Sequence, residues 1–95
     1  MRLRWSRRAL NDLERIAARI AVDKPLAATD FAADVRDRVA RLQAFPLLGR
    51  AGAYDDTREL VVHRNYLVTY RLRADEVQIL QLWHVARNLP RGGGR

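Results

Sequence analysis

The side chains able to do chemistry in this chain gather in its second half. His84 and Arg87, three residues apart in LWHVARNLP, pair an imidazole, a side-chain class suited to proton transfer near neutral pH, with a guanidinium. Together they could move a proton and stabilise a developing phosphate charge. Equally, His84 could end a strand by bonding backbone. Arg58 and Arg71 could hold a phosphate bidentately or anchor an acidic partner. Glu59 could serve as a base or as the cross-strand partner of an arginine. Arg50, in GRAG, has the loop freedom to reach a ligand, but that string is too short for a phosphate-binding loop. The two histidines lack a third ligand at metal spacing, so no metal is expected. No cofactor is implied, and order along the chain supplies no Ser-His-Asp arrangement.

These residues need a frame, and composition bounds it. With 95 residues and no cysteine, the chain is one domain without disulfides or thiolate chemistry. The expected division is a single domain over 1–90 and a flexible basic tail over 91–95. MRLRWSRRALNDLERIAARIAV has no apolar run of signal-peptide or membrane-span type, which makes a cytoplasmic protein the expectation. The net charge of +7 attracts polyanions or an acidic partner protein. The charge is shared between the two halves, so any basic patch must be made by folding. Arg7, Arg8 and Arg15 could address nucleic acid, but Asp12 and Glu14 sit among them and pairing along a solvated helix face competes with that reading.

Leu3 and Trp5 alternate with arginines in a short first strand. Ser6 offers an N-cap to a helix carrying Leu10, Leu13, Ile16, Ala17 and Ile20 on one face. Pro25 interrupts that helix and suits the first turn of a second. Ala28, Phe31, Val35, Val39 and Leu42 form its stripe, and Phe45-Pro46 should close it. The short joint predicts an antiparallel helical hairpin. LLGRAGAYDD, over 47–56, reads as a loop.

From Arg58 the period changes to two, predicting strands at 58–62, 66–73 and 76–84. A three-residue connection, His63-Arg64-Asn65, would put Asn65 in the left-handed region and pair Leu60 with Val68 and Val62 with Tyr66. A turn at Ala74-Asp75 would pair Leu72 with Val77 and Tyr70 with Ile79, although Ala-Asp suits such a turn poorly. The core face would then hold Leu60, Val62, Tyr66, Val68, Tyr70, Leu72, Val77, Ile79 and Trp83. The second face would hold Glu59, Val61, Leu67, Thr69, Arg71, Gln78, Leu80, Leu82 and His84. That face is half apolar, and two helices cannot cover both sides of a sheet, so a partner is expected there. The fold class is α+β: short strand, helical hairpin, three-stranded antiparallel meander.

WSRRALNDLERIAARIA at 5–21, FPLLGR at 45–50, TRELVV at 57–62, YLVTYRL at 66–72 and VQILQLWHVARNLP at 77–90, in this order, resemble the ParE/RelE family of toxins from type II toxin-antitoxin pairs. The resemblance implies a small basic toxin in hetero-oligomeric complex with an antitoxin whose disordered segment folds onto it. One branch of the family cleaves messenger RNA on the ribosome; the other poisons DNA gyrase. The RNA-cleaving branch carries a basic residue just ahead of the core of its middle strand. Here that core is Val68-Thr69-Tyr70, and Leu67 precedes it. The pattern is therefore similar to the ParE branch, implying a gyrase inhibitor that works by binding, not as an enzyme. Arg50, Arg58, Glu59, Leu67, Thr69, Arg71, Leu80 and Leu82 are the expected contacts with target or antitoxin. If the chain is instead an endoribonuclease, His84, Arg87, Arg71 and Glu59 are its candidates. A non-toxic binding module of the same fold is the remaining alternative.

Overall fold

The computed structural model describes residues 1–88, with side chains through residue 86. The expected boundary at 90 and the basic tail over 91–95 lie outside the described residues. Strand β1 (Arg2–Trp5) leads into helix α1 (Arg7–Asp23) and helix α2 (Pro25–Ala40). Strands β2 (Arg50–Ala51), β3 (Thr57–His63), β4 (Tyr66–Arg73) and β5 (Glu76–His84) follow, and a short helix, α3 (Val85–Asn88), closes the described chain. The sheet order is β1-β5-β4-β3-β2, with β1 parallel to β5 and every other pair antiparallel. Two helices on one face of a mixed five-stranded sheet make the α+β architecture expected from sequence.

Local chemistry accounts for the element boundaries. The Ser6 hydroxyl accepts a hydrogen bond from the Ala9 N–H at 3.0 Å, capping α1, and donates to the Leu80 carbonyl at 3.1 Å. Pro25 occupies the first position of α2, where its missing N–H costs nothing. Regular α-helix ends at Ala40, ahead of the expected stop at Phe45-Pro46, and a single 3₁₀ turn over Arg41–Gln43 carries Leu42 into the core. Within the expected loop, Arg50 and Ala51 pair with Glu59 and Arg58 to form β2.

The core is continuous across the layers. Leu13 and Ile16 of α1, with Phe31, Val35 and Val39 of α2, pack on Val62, Val68, Tyr70, Val77, Ile79 and Leu82. Each large side chain buried there contributes roughly 1.5 to 3 kcal/mol, so this interface sets the orientation of the helical hairpin.

Two bulges revise the strand register. Leu60 pairs with Val68 as expected, but His63, not Val62, pairs with Tyr66 across a shift in β3. The connection therefore contains two residues, and Asn65 is not left-handed: among the described non-glycine residues only Asp56 and Ala74 have positive φ. Ala74 takes φ 55° in the unfavourable Ala-Asp turn, a conformation costing a residue with a Cβ roughly 1–2 kcal/mol. Leu72 with Val77 and Tyr70 with Ile79 pair as expected, and a second shift then pairs Thr69 with Gln81. Because side chains alternate with period two, the extra residue reverses every face assignment beyond it. Leu82 enters the core at 1% exposure, while Trp83 crosses to the second face and bonds Thr69. His84 lies on the helix side, its ring edge-on to Tyr66 at 4.8 Å.

Where β5 outruns β1, a carboxylate replaces the missing strand. Asp12 is 5% exposed, and its Oδ2 accepts the Leu82 N–H at 3.0 Å. The i,i+3 and i,i+4 pairing with Arg15 and Arg8 exists, at 3.0 and 3.6 Å, but around a buried anion and not along a solvated face. Asp12→Ala should cost about 2–3 kcal/mol, since it strands a buried donor and removes a charged acceptor. Asp12→Asn, which keeps an acceptor, should cost less than half of that. Urea midpoints of the two variants check this, and equal losses would contradict the role assigned to the Leu82 bond.

Candidate functional site

The expected site residues divide between structural ties and open surface. Tyr70, fully buried, donates its hydroxyl to the Pro46 carbonyl at 2.8 Å and accepts the Gly49 N–H at 2.9 Å. Arg58 donates to the carbonyl of Gly49 at 2.6 Å and to that of Leu47. Gly49 is required for this close approach, because a Cβ there would lie 2.7 Å from the Glu59 carbonyl oxygen and 2.8 Å from the Tyr70 ring. The guanidinium of Arg58, read from sequence as a phosphate or partner contact, is thus used to hold FPLLGR against the sheet. Glu59 accepts from the Ala53 N–H at 3.3 Å and sits 3.5 Å from Arg50, the cross-strand pairing weighed for it.

On the second face, Arg71 donates through Nε to Gln78 at 2.9 Å, and Gln78 donates to Glu76. Leu67 is 2% exposed and pairs with Val61 and Trp83 on its flanking strands. The Trp83 indole N–H donates to Thr69 at 2.9 Å. Leu80 is half-buried beside the bulge. Leu82, expected here as a contact, belongs to the core for the reason given above. His84 and Arg71 therefore lie on opposite sides of the sheet and cannot act on one bond. His84 Nδ1 accepts the Ala86 N–H at 3.1 Å, which leaves the hydrogen of the neutral ring on Nε2. The backbone of Arg87 lies in α3, and its side chain is outside the described ones. No group of three or more His, Cys, Asp or Glu side chains able to hold a metal occurs among the described residues. No described helix is long and apolar enough to cross a membrane.

A larger concavity lies elsewhere, between α2 and the edge of β3. Because β2 pairs with only Arg58 and Glu59, Leu60–His63 have no strand on that edge among the described residues. One cavity of about 390 Å³ runs past Arg38, Arg41, Leu48, Arg50, Leu60 and Val61. A second, of about 340 Å³, continues it past Asp34, Arg38, Val61, His63 and Arg64. Val61 and Leu48 are each 51% exposed within it. His63 bonds Asp34 at 3.0 Å and stands edge-on to Phe31, tying α2 to the strand. Sequence reasoning found Arg50 in this groove but missed Arg38, Arg41 and Leu48. The available signal was a run of exposed apolar residues, FPLL, directly after a helix ending in basic residues.

Comparison with known proteins gives this geometry a context. The family described as "ParE toxin of type II toxin-antitoxin system, parDE" matches residues 3–89. The chain belongs to this family. It is 39% identical over 90 residues to a putative toxin, Y4kP, of Sinorhizobium fredii, covering 94% of this chain and 93% of that one. It is 36% identical over 83 residues to toxin RelE2 of Caulobacter vibrioides, covering 87% and 93%. A solved structure of the chromosomal ParDE toxin-antitoxin system from P. aeruginosa superimposes with a TM-score of 0.82 at 30% identity, over 90% of this chain and 96% of that one. The solution structure of the protein HP0894 from Helicobacter pylori, at 16% identity and a TM-score of 0.58, shares the fold. This ParE/RelE-family chain is accordingly the toxin of a type II toxin-antitoxin pair, and an antitoxin is its implied partner.

Burial raises the pKa of the Tyr70 phenol above its ordinary value of 10.0, against the lowering effects of the Gly49 N–H and of Arg58. Above pH 10 the unfolded chain loses a proton that the folded one keeps, so stability should fall as pH rises from there through the folded pKa. Tyr70→Phe should remove that slope and cost about 1–2 kcal/mol at neutral pH by stranding Gly49 N–H and the Pro46 carbonyl. Denaturation midpoints of both proteins between pH 8 and 11 measure the two effects, and an unchanged alkaline slope in the variant would contradict the assignment.

Proposed function

We propose that this toxin inhibits DNA gyrase by binding it, with no bond-breaking chemistry of its own. The observation that carries the reading is Leu67. The RNA-cleaving branch of the family calls for a positive charge there, whereas this chain has a buried leucine between Val61 and Trp83. The neighbouring polar groups favour the same reading: Glu59 is engaged by Arg50 and the Ala53 N–H, and Arg71 by Gln78. Neither is poised as a free acid or base. The second face, with Thr69, Arg71 and Leu80, is the surface we assign to the target.

The antitoxin segment belongs in the groove between α2 and β3. Coupled folding of a disordered segment needs apolar burial to offset its ordering, and charge to set register. Leu48, Leu60 and Val61 supply the first, and Arg38, Arg41 and Arg64 the second. An acidic segment with alternating apolar residues is the complementary sequence, captured rapidly by the basic rim.

Three measurements test these assignments. Purified gyrase should lose supercoiling activity on relaxed plasmid when the toxin is added, and mapped transcript ends in expressing cells should show no new cuts within codons. Normal supercoiling in excess toxin sinks the gyrase reading, and codon-internal cuts would establish the endonuclease alternative. Leu48→Asp with Arg38→Glu, both at exposed positions, should weaken antitoxin binding by at least about tenfold, or about 1.4 kcal/mol, while leaving gyrase inhibition intact. Unaltered antitoxin affinity would remove the antitoxin from this groove.

A further inference from the structure

A second cleft opens between α1 and the length of β5 that β1 does not reach. Arg8, Arg15 and Arg19 line it from the helix; Tyr66, Gln81 and His84 line it from the sheet. The helical positions, with Asp12, follow the spacing of a single face, so α1 aims three guanidiniums at the same space. That space is about 140 Å³, room for a few water molecules at roughly 30 Å³ each. This is the scale of one small oxyanion with its residual hydration.

The floor of the cleft explains how like charges are held so close. Asp12 Oδ1 accepts from Arg15 at 3.0 Å, and Oδ2 lies 3.6 Å from Arg8 while accepting the Leu82 N–H. A buried carboxylate thereby orders two guanidiniums before any ligand arrives, which lowers the entropy lost on binding. One carboxylate faces three arginines, so two positive charges remain uncompensated. Arg19 has no carboxylate within ion-pair distance among the described residues.

The donors outnumber what a carboxylate could use. Each guanidinium carries five N–H groups, and Tyr66 and the His84 Nε2–H add neutral donors, whereas a carboxylate offers about four acceptor sites. A tetrahedral phosphate, with more oxygens and a larger charge, matches this set better. Tyr66 and His84, edge-on at 4.8 Å and 89°, put aromatic surface beside the anion, of the kind on which nucleobases stack.

We propose that this cleft binds a phosphate group, carried on a nucleic-acid strand or on a free nucleotide. The assignment requires neither gyrase binding nor RNA cleavage, and it concerns the helix side of the sheet, away from Arg71 and Thr69.

The test uses the full chain and a fluorescent single-stranded oligonucleotide of about ten nucleotides, with AMP and inorganic phosphate as competing probes. Arg15→Gln with Arg19→Gln should weaken oligonucleotide binding about tenfold or more at 0.1 M salt. It should also reduce the slope of log K against log salt by about 1.4, for two contacts at about 0.7 each on a single strand. Arg4→Gln with Arg36→Gln removes the same charge away from the cleft and should change both by much less. Equal losses in the two double variants would mean diffuse attraction and overturn the proposal, provided that circular dichroism shows both folded. AMP competing as well as the oligonucleotide identifies a nucleotide site, and competition only by the strand identifies nucleic acid; either supports the cleft. Amide shifts on phosphate addition that bypass Arg15, Arg19, Tyr66 and His84 would overturn it.

Discussion

The Asp12 carboxylate closes the seam on which the rest of the fold depends. Strand β1 ends at Trp5 so that the chain can turn into α1, but β5 continues to His84 and leaves backbone exposed to the helix layer. A buried N–H without a partner costs about as much as a lost hydrogen bond. The cheapest remedy is an acceptor from the covering helix, and Asp12 is placed one and a half turns into α1 to provide it. Its charge then recruits Arg8 and Arg15, and the basic rim of a cleft follows from the need to satisfy a strand.

The bulge at Leu80 works together with that carboxylate. By inserting one residue it turns Leu82 inward, against α1, and sends Trp83 to the far face, where its indole meets Thr69. His84 is carried to the helix side with Tyr66. A strand of nine residues thus serves two surfaces that regular alternation would have kept apart: core near β1 and cleft beyond it. The physical separation of His84 from Arg71 is a direct consequence, and it weighs against a concerted acid-base pair on either face.

The arginines of this toxin do two different jobs. Arg58 and Arg50 bind the chain to itself, the first through carbonyls of the 47–49 segment and the second through Glu59. Arg38 and Arg41 line a groove beside exposed apolar side chains, and Arg19 projects into the α1 cleft without a carboxylate of its own among the described residues. Net positive charge alone does not distinguish these roles. What distinguishes them is whether folding brings a backbone carbonyl or a carboxylate within reach.

The chain's own periodicities were sufficient for the order of the longer elements, the helical hairpin, the α+β class and most of the core, because each rests on spacing within one segment. Ser6, Pro25 and the apolar positions from Leu13 to Val39 carry that information locally. Family membership was legible for the same reason, as a succession of short strings. Tertiary packing alone decided the rest. Neither bulge has a local signature, since a register shift is set by what the neighbouring strand and helix demand, and one shift reverses every later side chain. Asp12 looked like a solvated helix residue until β5 lay beneath it, and Arg58 looked available until Gly49 and Leu47 folded back over it. The groove beside β3 exists because β2 stops after two residues, which depends on where Tyr70 and Gly49 pin the loop and not on any property of Arg50-Ala51 themselves.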